Sequence, residues 1–165
     1  MKTRQPKVRA MKAANTKNGA RVLVLESRYY EDIAAQLLAG AMAVLDAGGA
    51  AVTRLTVPGV FEIPAALALA ARSSRPGYDG FVALGCVIRG ETDHYDHICR
   101  ESSRALMTLA VDEGLALGFG VLTCGTRDQA WERAAVDRKN KGAEAARACL
   151  RMIELKRQLR RPRRR

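Results

Sequence analysis

The chain holds two histidines, and both fall within residues 85–97, which read GCVIRGETDHYDH. Imidazole, with an ordinary pKa of roughly 6.5, is the side chain best suited to moving protons near neutrality. Around His94 and His97 stand Arg89 and the carboxylates Glu91, Asp93 and Asp96. An arginine beside the free N–H groups that begin a helix suits a phosphate. The same cluster can be read as a metal site, His94 and His97 with Asp93 and Asp96 between them. No Cys or Glu at ligand spacing completes it, so no metal is expected. His97, three residues along a helix, can equally be a packed or solvent-facing ring.

The elements on either side say where this stretch must lie. Residues 80–84, GFVAL, form a short apolar run between turn residues, a buried strand. Ile98, Ala105, Leu106, Leu109 and Ala110 recur at helical spacing, so a helix begins near Asp93 with Thr92 or Asp93 as its cap. Strand, glycine-bearing loop and helix start is where open α/β sheets take ligands. Along the chain the same alternation repeats. Strands are expected over residues 21–26, 52–57 and 117–123. Helices are expected over residues 33–45, from Pro64 onward, over 129–134 and from Lys141. Gly48-Gly49 stops the first helix, and Pro64 sits in the first turn of the second. Strands alternating with helices give a three-layer α/β/α sandwich, flavodoxin-like, with a mostly parallel four-stranded sheet.

Composition limits the alternatives. A chain of 165 residues without a long linker is one domain. No apolar run approaches the roughly 18–20 residues of a membrane span, and no apolar segment follows the basic N-terminus to make a secretory leader. Cys86, Cys99, Cys124 and Cys149 lack C-x-x-C spacing and read as reduced core residues of a cytoplasmic protein. The formal net charge of +11 comes from the ends: residues 1–19 carry six Lys/Arg and residues 156–165 carry seven, neither with an acid. Residues 20–155 hold 15 basic and 17 acidic side chains, a net of −2. A basic, flexible leader, a central domain over 20–155 and a basic C-terminal tail follow. Any attraction to nucleic acid is non-specific and confined to the tails.

In a parallel sheet the loops after the strands gather on one edge. That edge collects Tyr29, Phe61 and Glu62, Cys86 to His94, and Thr123 to Arg127, with Arg133 close by. Rings suit a flat heterocycle, Glu62 suits ligand hydroxyl or N–H groups, and arginine with helix-start amides suits a phosphate. Taken singly, Tyr29 and Phe61 can be plain core-edge residues and Arg133 a surface ion pair. The residues alone give a phosphate-bearing aromatic ligand at the sheet edge and no particular reaction.

Several blocks, in order, resemble the 6,7-dimethyl-8-ribityllumazine synthase family. They are Ser27-Arg28-Tyr29, Val57-Pro58-Gly59-Val60-Phe61-Glu62-Ile63-Pro64, Tyr78-Asp79-Gly80, residues 84–94 (LGCVIRGETDH), residues 119–123 (FGVLT), Gln129-Ala130-Trp131-Glu132-Arg133-Ala134 and residues 140–145 (NKGAEA). The resemblance spans about residues 20–155, and the P-G-x-F-E-I-P and V-I-R-G-x-T-x-H blocks are its specific part.

The resemblance implies condensation of 5-amino-6-(D-ribitylamino)uracil with 3,4-dihydroxy-2-butanone 4-phosphate, releasing phosphate and water, in riboflavin biosynthesis and without cofactor. It implies that Tyr29 stacks on the pyrimidine and that Val60, Phe61 and Glu62 line the ribityl and pyrimidine site. Backbone groups of Cys86, Val87 and Ile88 would hold the heterocycle edge, and Glu91, Thr92 and Arg133 the phosphate. His94 would transfer protons, Phe119 would reach in from an adjacent subunit, and Lys141 matches a basic residue of the pocket. It also implies homo-oligomers, pentameric rings or a larger shell built of them, and association with riboflavin synthase. Tyr29 stands where Phe is usual, Cys86 where Thr is common, and Asp137 where many relatives have Lys. The competing readings are a non-catalytic flavin- or lumazine-binding paralogue and a shell-forming scaffold. Retention of His94, Arg133 and the Glu91-Thr92 loop together favours the enzyme.

Overall fold

A computed structural model describes residues 19–73 and 77–160. Strands and helices alternate until the last two helices, which follow one another. Strand β1 (Arg21–Ser27) leads to helix α1 (Glu31–Ala47), and β2 (Ala51–Val57) leads through a 3-10 turn (Val60–Glu62) to α2 (Ile63–Arg72). Then come β3 (Gly80–Ile88), α3 (His94–Asp112), β4 (Leu117–Cys124), α4 (Arg127–Ala134) and α5 (Lys141–Arg160). The sheet order is β2-β1-β3-β4, and all three pairings are parallel.

The apolar runs of β1 and β3 follow from this order. Central strands of a parallel sheet are covered on both faces, so they carry few polar residues. Alternate side chains part to the two faces. Val22, Val24, Val82 and Leu84 pack with Ile33, Leu37 and Leu45 of α1 and Cys149 and Ile153 of α5. Leu23, Leu25, Phe81 and Ala83 pack with Ile63 and Leu67 of α2 and Leu106 of α3. The expected three layers are present, with α1, α4 and α5 on one face and α2 and α3 on the other. A Cβ at Gly142 would collide with the Leu37 carbonyl, so glycine there lets α5 lie directly on α1.

Several boundaries shift by a residue or two, and three of the differences have a visible cause. The third strand does not end at Leu84 but continues through Gly85 to Ile88, paired with Val121 to Cys124 of β4. Gly85 looks like a turn residue, yet it is in mid-strand because Val60 packs against its bare Cα; a Cβ there would lie 2.7 Å from Val60 Cγ2. Helix α4 starts two residues early, at Arg127, because Thr126 Oγ1 accepts the Gln129 N–H at 3.2 Å. Helix α5 continues through residues 156–160, the first half of the stretch read as a basic tail. Lys156 Nζ donates to the Gly114 carbonyl at 2.7 Å, and Arg157 lies 3.7 Å from Asp79. Of the N-terminal leader, 1–19, all but Gly19 lies outside the described residues.

All four cysteines are free; Cys86, Cys124 and Cys149 are buried and Cys99 is half-buried. Among the described residues no helix is long and apolar enough to cross a membrane.

Candidate active site

The strand-end edge of the sheet holds a cavity of about 720 Å³. Its walls come from the β1–α1 loop (Tyr29, Tyr30), the turn after β2 (Gly59 to Glu62), the end of β3 (Cys86 to Ile88), and the start of α3 with the loop before it. Of the residues expected in the site, Tyr29, Val60, Phe61, Glu62, Cys86, Val87, Ile88, Thr92 and His94 line this one cavity. Glu91 lies in the same loop, exposed and outside the lining.

Local chemistry fixes each wall. Glu26, near the end of β1, is 1% exposed, a rare place for a carboxylate. Arg54 Nη2 meets it at 2.8 Å and Arg28 Nη1 at 3.2 Å. Arg28 also donates to Glu31 at 2.6 Å, so one guanidinium ties the strand end to the first residue of α1. The bond to Glu31, with the nearby Glu26, raises the already high Arg28 pKa. Between these anchors sits Tyr29, 74% exposed, its ring 5.0 Å from that of Tyr30 in edge-to-face contact. Tyr30 is partly buried, and burial raises its phenol pKa. A ring presented to solvent is what a stacking platform needs.

Cys86 is 7% exposed, and burial, with Cys124 beside it, pushes its thiol up to about 12. A thiol so held is neutral at physiological pH and no nucleophile. It can serve the site through its backbone alone. His94 is the first residue of α3, exposed, with its backbone N–H 3.4 Å from Thr92 Oγ1. Asp93 occupies the cap position without a side-chain cap bond.

The structure also brings in Tyr30, Tyr95, His97 and Ile98. Two of these were legible in part, because His97 and Ile98 follow His94 at i+3 and i+4, on one face of a helix. His97 therefore shares the cavity with His94, and among the described residues no group of three or more His, Cys, Asp or Glu is placed to hold a metal ion.

Three expected residues are elsewhere. Phe119, Arg133 and Lys141 line a second concavity of about 380 Å³ along the outer edge of β4, walled by the first turns of α5. Phe119 is 46% exposed, Arg133 Nη1 donates to the Gln129 carbonyl at 2.9 Å, and Lys141 pairs with Glu144 at 2.6 Å. Within one chain Arg133 is thus not beside Thr92. The cause is topological: β4 is the edge strand, and α4 and α5 lie on the face opposite α3. Asp137 lies exposed in the turn between α4 and α5, outside both concavities.

The strand-end cavity thus offers rings, one carboxylate and two imidazoles, and the second concavity offers a guanidinium and an ammonium. The family model described as 6,7-dimethyl-8-ribityllumazine synthase matches residues 19–157. The 6,7-dimethyl-8-ribityllumazine synthase of Afipia carboxidovorans is 52% identical over 148 residues, 87% of this chain and 90% of its own. That of Methylorubrum extorquens (strain PA1) is 56% identical over 142 residues, 84% of this chain and 82% of its own. The chain belongs to the 6,7-dimethyl-8-ribityllumazine synthase family. A Rhizobium meliloti relative named 6,7-dimethyl-8-ribityllumazine synthase 1 is 55% identical over 141 residues, 84% of this chain and 92% of its own. The lumazine synthase match covers the residues that line both concavities, and the chain is an enzyme of riboflavin synthesis.

Proposed function

We propose that this chain condenses 5-amino-6-(D-ribitylamino)uracil with 3,4-dihydroxy-2-butanone 4-phosphate, and that the two concavities are two halves of one site completed between neighbouring copies. The observation that carries the reading is their separation: the imidazole and the stacking ring lie in one concavity, the guanidinium and ammonium in the other. A phosphate-bearing substrate reacting with a flat amine needs both sets. A cyclic homo-oligomer, a pentamer in this family, brings the β4 edge of one copy against the strand ends of the next.

The roles follow from the side chains. Tyr29 stacks on the pyrimidine, Glu62 accepts from ribityl hydroxyls, and backbone groups of Cys86, Val87 and Ile88 meet the heterocycle edge. The Glu91 and Thr92 amides and Arg133 hold the phosphate, with Phe119 closing the pocket and Lys141 adding charge. The 5-amino nitrogen attacks the ketone carbonyl, and loss of water leaves an imine. Elimination then expels inorganic phosphate. Loss of the C3 proton with the phosphate leaves an enol, which tautomerises to a methyl ketone. The ribityl-bearing nitrogen closes the ring on that new carbonyl, and a second water leaves. Each step moves a proton between nitrogen, carbon and oxygen, and His94 is the group placed to carry it.

The test is turnover with both substrates, read by phosphate release and by the absorbance of the lumazine, with sedimentation of the same sample. One phosphate per lumazine from an oligomer supports the reading. Tight binding of the pyrimidine with no phosphate release would make the chain a non-catalytic binder.

A further inference from the structure

The loop from Arg89 to Asp93 joins the end of β3 to the start of α3, and all five residues are exposed. Among the described residues the Gly90, Glu91 and Thr92 amides make no backbone hydrogen bond. They are the donors on which the phosphate-binding half of the proposed function depends. A loop with unpaired amides and little burial needs something else to hold its shape.

One side chain spans it. From the start of the loop, Arg89 reaches over to Asp96 in the first turn of α3. Its Nη2 lies 2.8 Å from Oδ1 and its Nη1 3.0 Å from Oδ2, a two-pronged pair. The guanidinium carbon lies 4.2 Å from the centre of the Tyr95 ring, and Tyr95 is itself a wall of the strand-end cavity. The Arg89 backbone N–H meanwhile donates to the Cys124 carbonyl at 2.9 Å, which fixes the near end of the strap to β4. From sequence, an arginine in this loop invites the role of phosphate ligand. Here its charge is answered by Asp96, both outer nitrogens are occupied, and its flat face is turned onto a ring.

The geometry points to Arg89 as a positioning residue: through Asp96 and Tyr95 it straps the loop shut, aiming the 90–92 amides and the helix start that carries His94. This rests on the proposed function for its kinetic consequence but not for its structural one. A direct phosphate ligand and a strap respond differently to loss of the partner. Asp96→Asn would free the charge of a ligand, leaving use of the phosphorylated substrate unchanged or improved. A strap is broken equally from either end, and breaking it twice adds nothing.

Arg89→Met, Asp96→Asn and the double variant are therefore compared in kcat/KM for the four-carbon phosphate, in binding of the pyrimidine, and in amide exchange of residues 90–92. Displacing a positioned group by about 1 Å costs up to about 10² in rate, and roughly tenfold is expected here for each single variant. The double variant should lose no more than either single one. The 90–92 amides should exchange faster in all three, with pyrimidine binding unchanged. Arg89→Lys, which keeps the charge but not the fork, should fall between wild type and Arg89→Met, and it carries the test if Arg89→Met does not fold. Asp96→Asn at or above wild-type activity, losses that multiply in the double variant, or unchanged exchange would each overturn the strap. If wild type itself shows no turnover, the proposed function fails, and the exchange comparison still decides the strap.

Discussion

The two concavities divide the chemistry between them. The strand-end cavity is built by the ends of β1, β2 and β3 and offers Tyr29, Glu62 and His94, with no arginine or lysine among its described lining residues. The concavity on β4 is smaller and offers Arg133, Lys141 and Phe119, with no imidazole among its described lining residues. The imidazoles lie in the first and the cations in the second. A sheet edge can place ligand-binding loops, but only a neighbour can set a second chain's edge strand against them. It is this division that the proposed site, completed at a contact between copies, would reconcile.

Removing the charge of the β4 concavity should have the largest effect. Arg133→Ala should lower kcat/KM for the phosphorylated substrate by about 10²–10³, since a guanidinium matches phosphate geometry and no other arginine among the described residues lines that concavity. Pyrimidine binding, followed by fluorescence quenching, should hardly change. Equal losses for both substrates would give Arg133 a structural role and dissolve the division of labour.

Removing the His94 imidazole from the strand-end cavity comes next. His94→Ala should slow turnover by about 10², the lower end for acid–base help, because water and released phosphate can carry part of the proton traffic. The pH–rate profile between pH 6 and 8 should flatten. An unchanged profile would take His94 out of the mechanism.

Tyr29 should matter less, and through binding. Tyr29→Ala should weaken the pyrimidine by roughly tenfold, about the worth of one aromatic contact, while Tyr29→Phe should be nearly neutral, since stacking needs the ring and not the hydroxyl. A large effect of Tyr29→Phe, measured by titration of the pyrimidine, would give the hydroxyl a role of its own.

The smallest effect at neutral pH should be that of the buried thiols. Cys86 and Cys149 are both pushed up to about 12 by burial. Their folded pKa lies above the unfolded value, so the folded chain holds these protons where the unfolded chain has released them. Their stability contribution is complete below the ordinary thiol pKa and is lost as pH rises toward 12. Thermal midpoints should be flat with respect to these groups from pH 6 to 8 and fall above about pH 9. Activity at pH 7 should be indifferent to Cys86→Thr.

How much of this could be read from the chain depends on the range of the interactions involved. The strands at 21–27 and 117–124 and the helix at 31–47 come from apolar patterns within a few residues, and these are close to where the spacing puts them. The continuation of β3 through Gly85 was not legible, because the reason for that glycine is a contact with Val60, which lies in the turn after a different strand. Glu26 reads as a strand-end polar residue, and its burial depends on Arg54 from the neighbouring strand. Of the site, the strand-end residues were legible because a parallel sheet gathers them. Phe119 and Lys141 are named only through family resemblance, and Arg133 is placed near the sheet edge without its strand partner being known. Nothing local says what an edge strand will face. For the same reason Arg133 is expected beside Thr92 at the phosphate, yet in a single chain the two line different concavities.

Complementation tests the shared site most directly. His94→Ala and Arg133→Ala should each be nearly inactive alone, and each leaves one concavity intact. Co-refolded in equal amounts and shown by mass spectrometry to form mixed oligomers, they should create contacts in which a wild-type His94 faces a wild-type Arg133. With random mixing about a quarter of the sites are whole, so activity should recover to about a quarter of wild type. Mixed oligomers that remain as inactive as the separate variants would mean that each chain completes its own site, and the division between copies would be wrong.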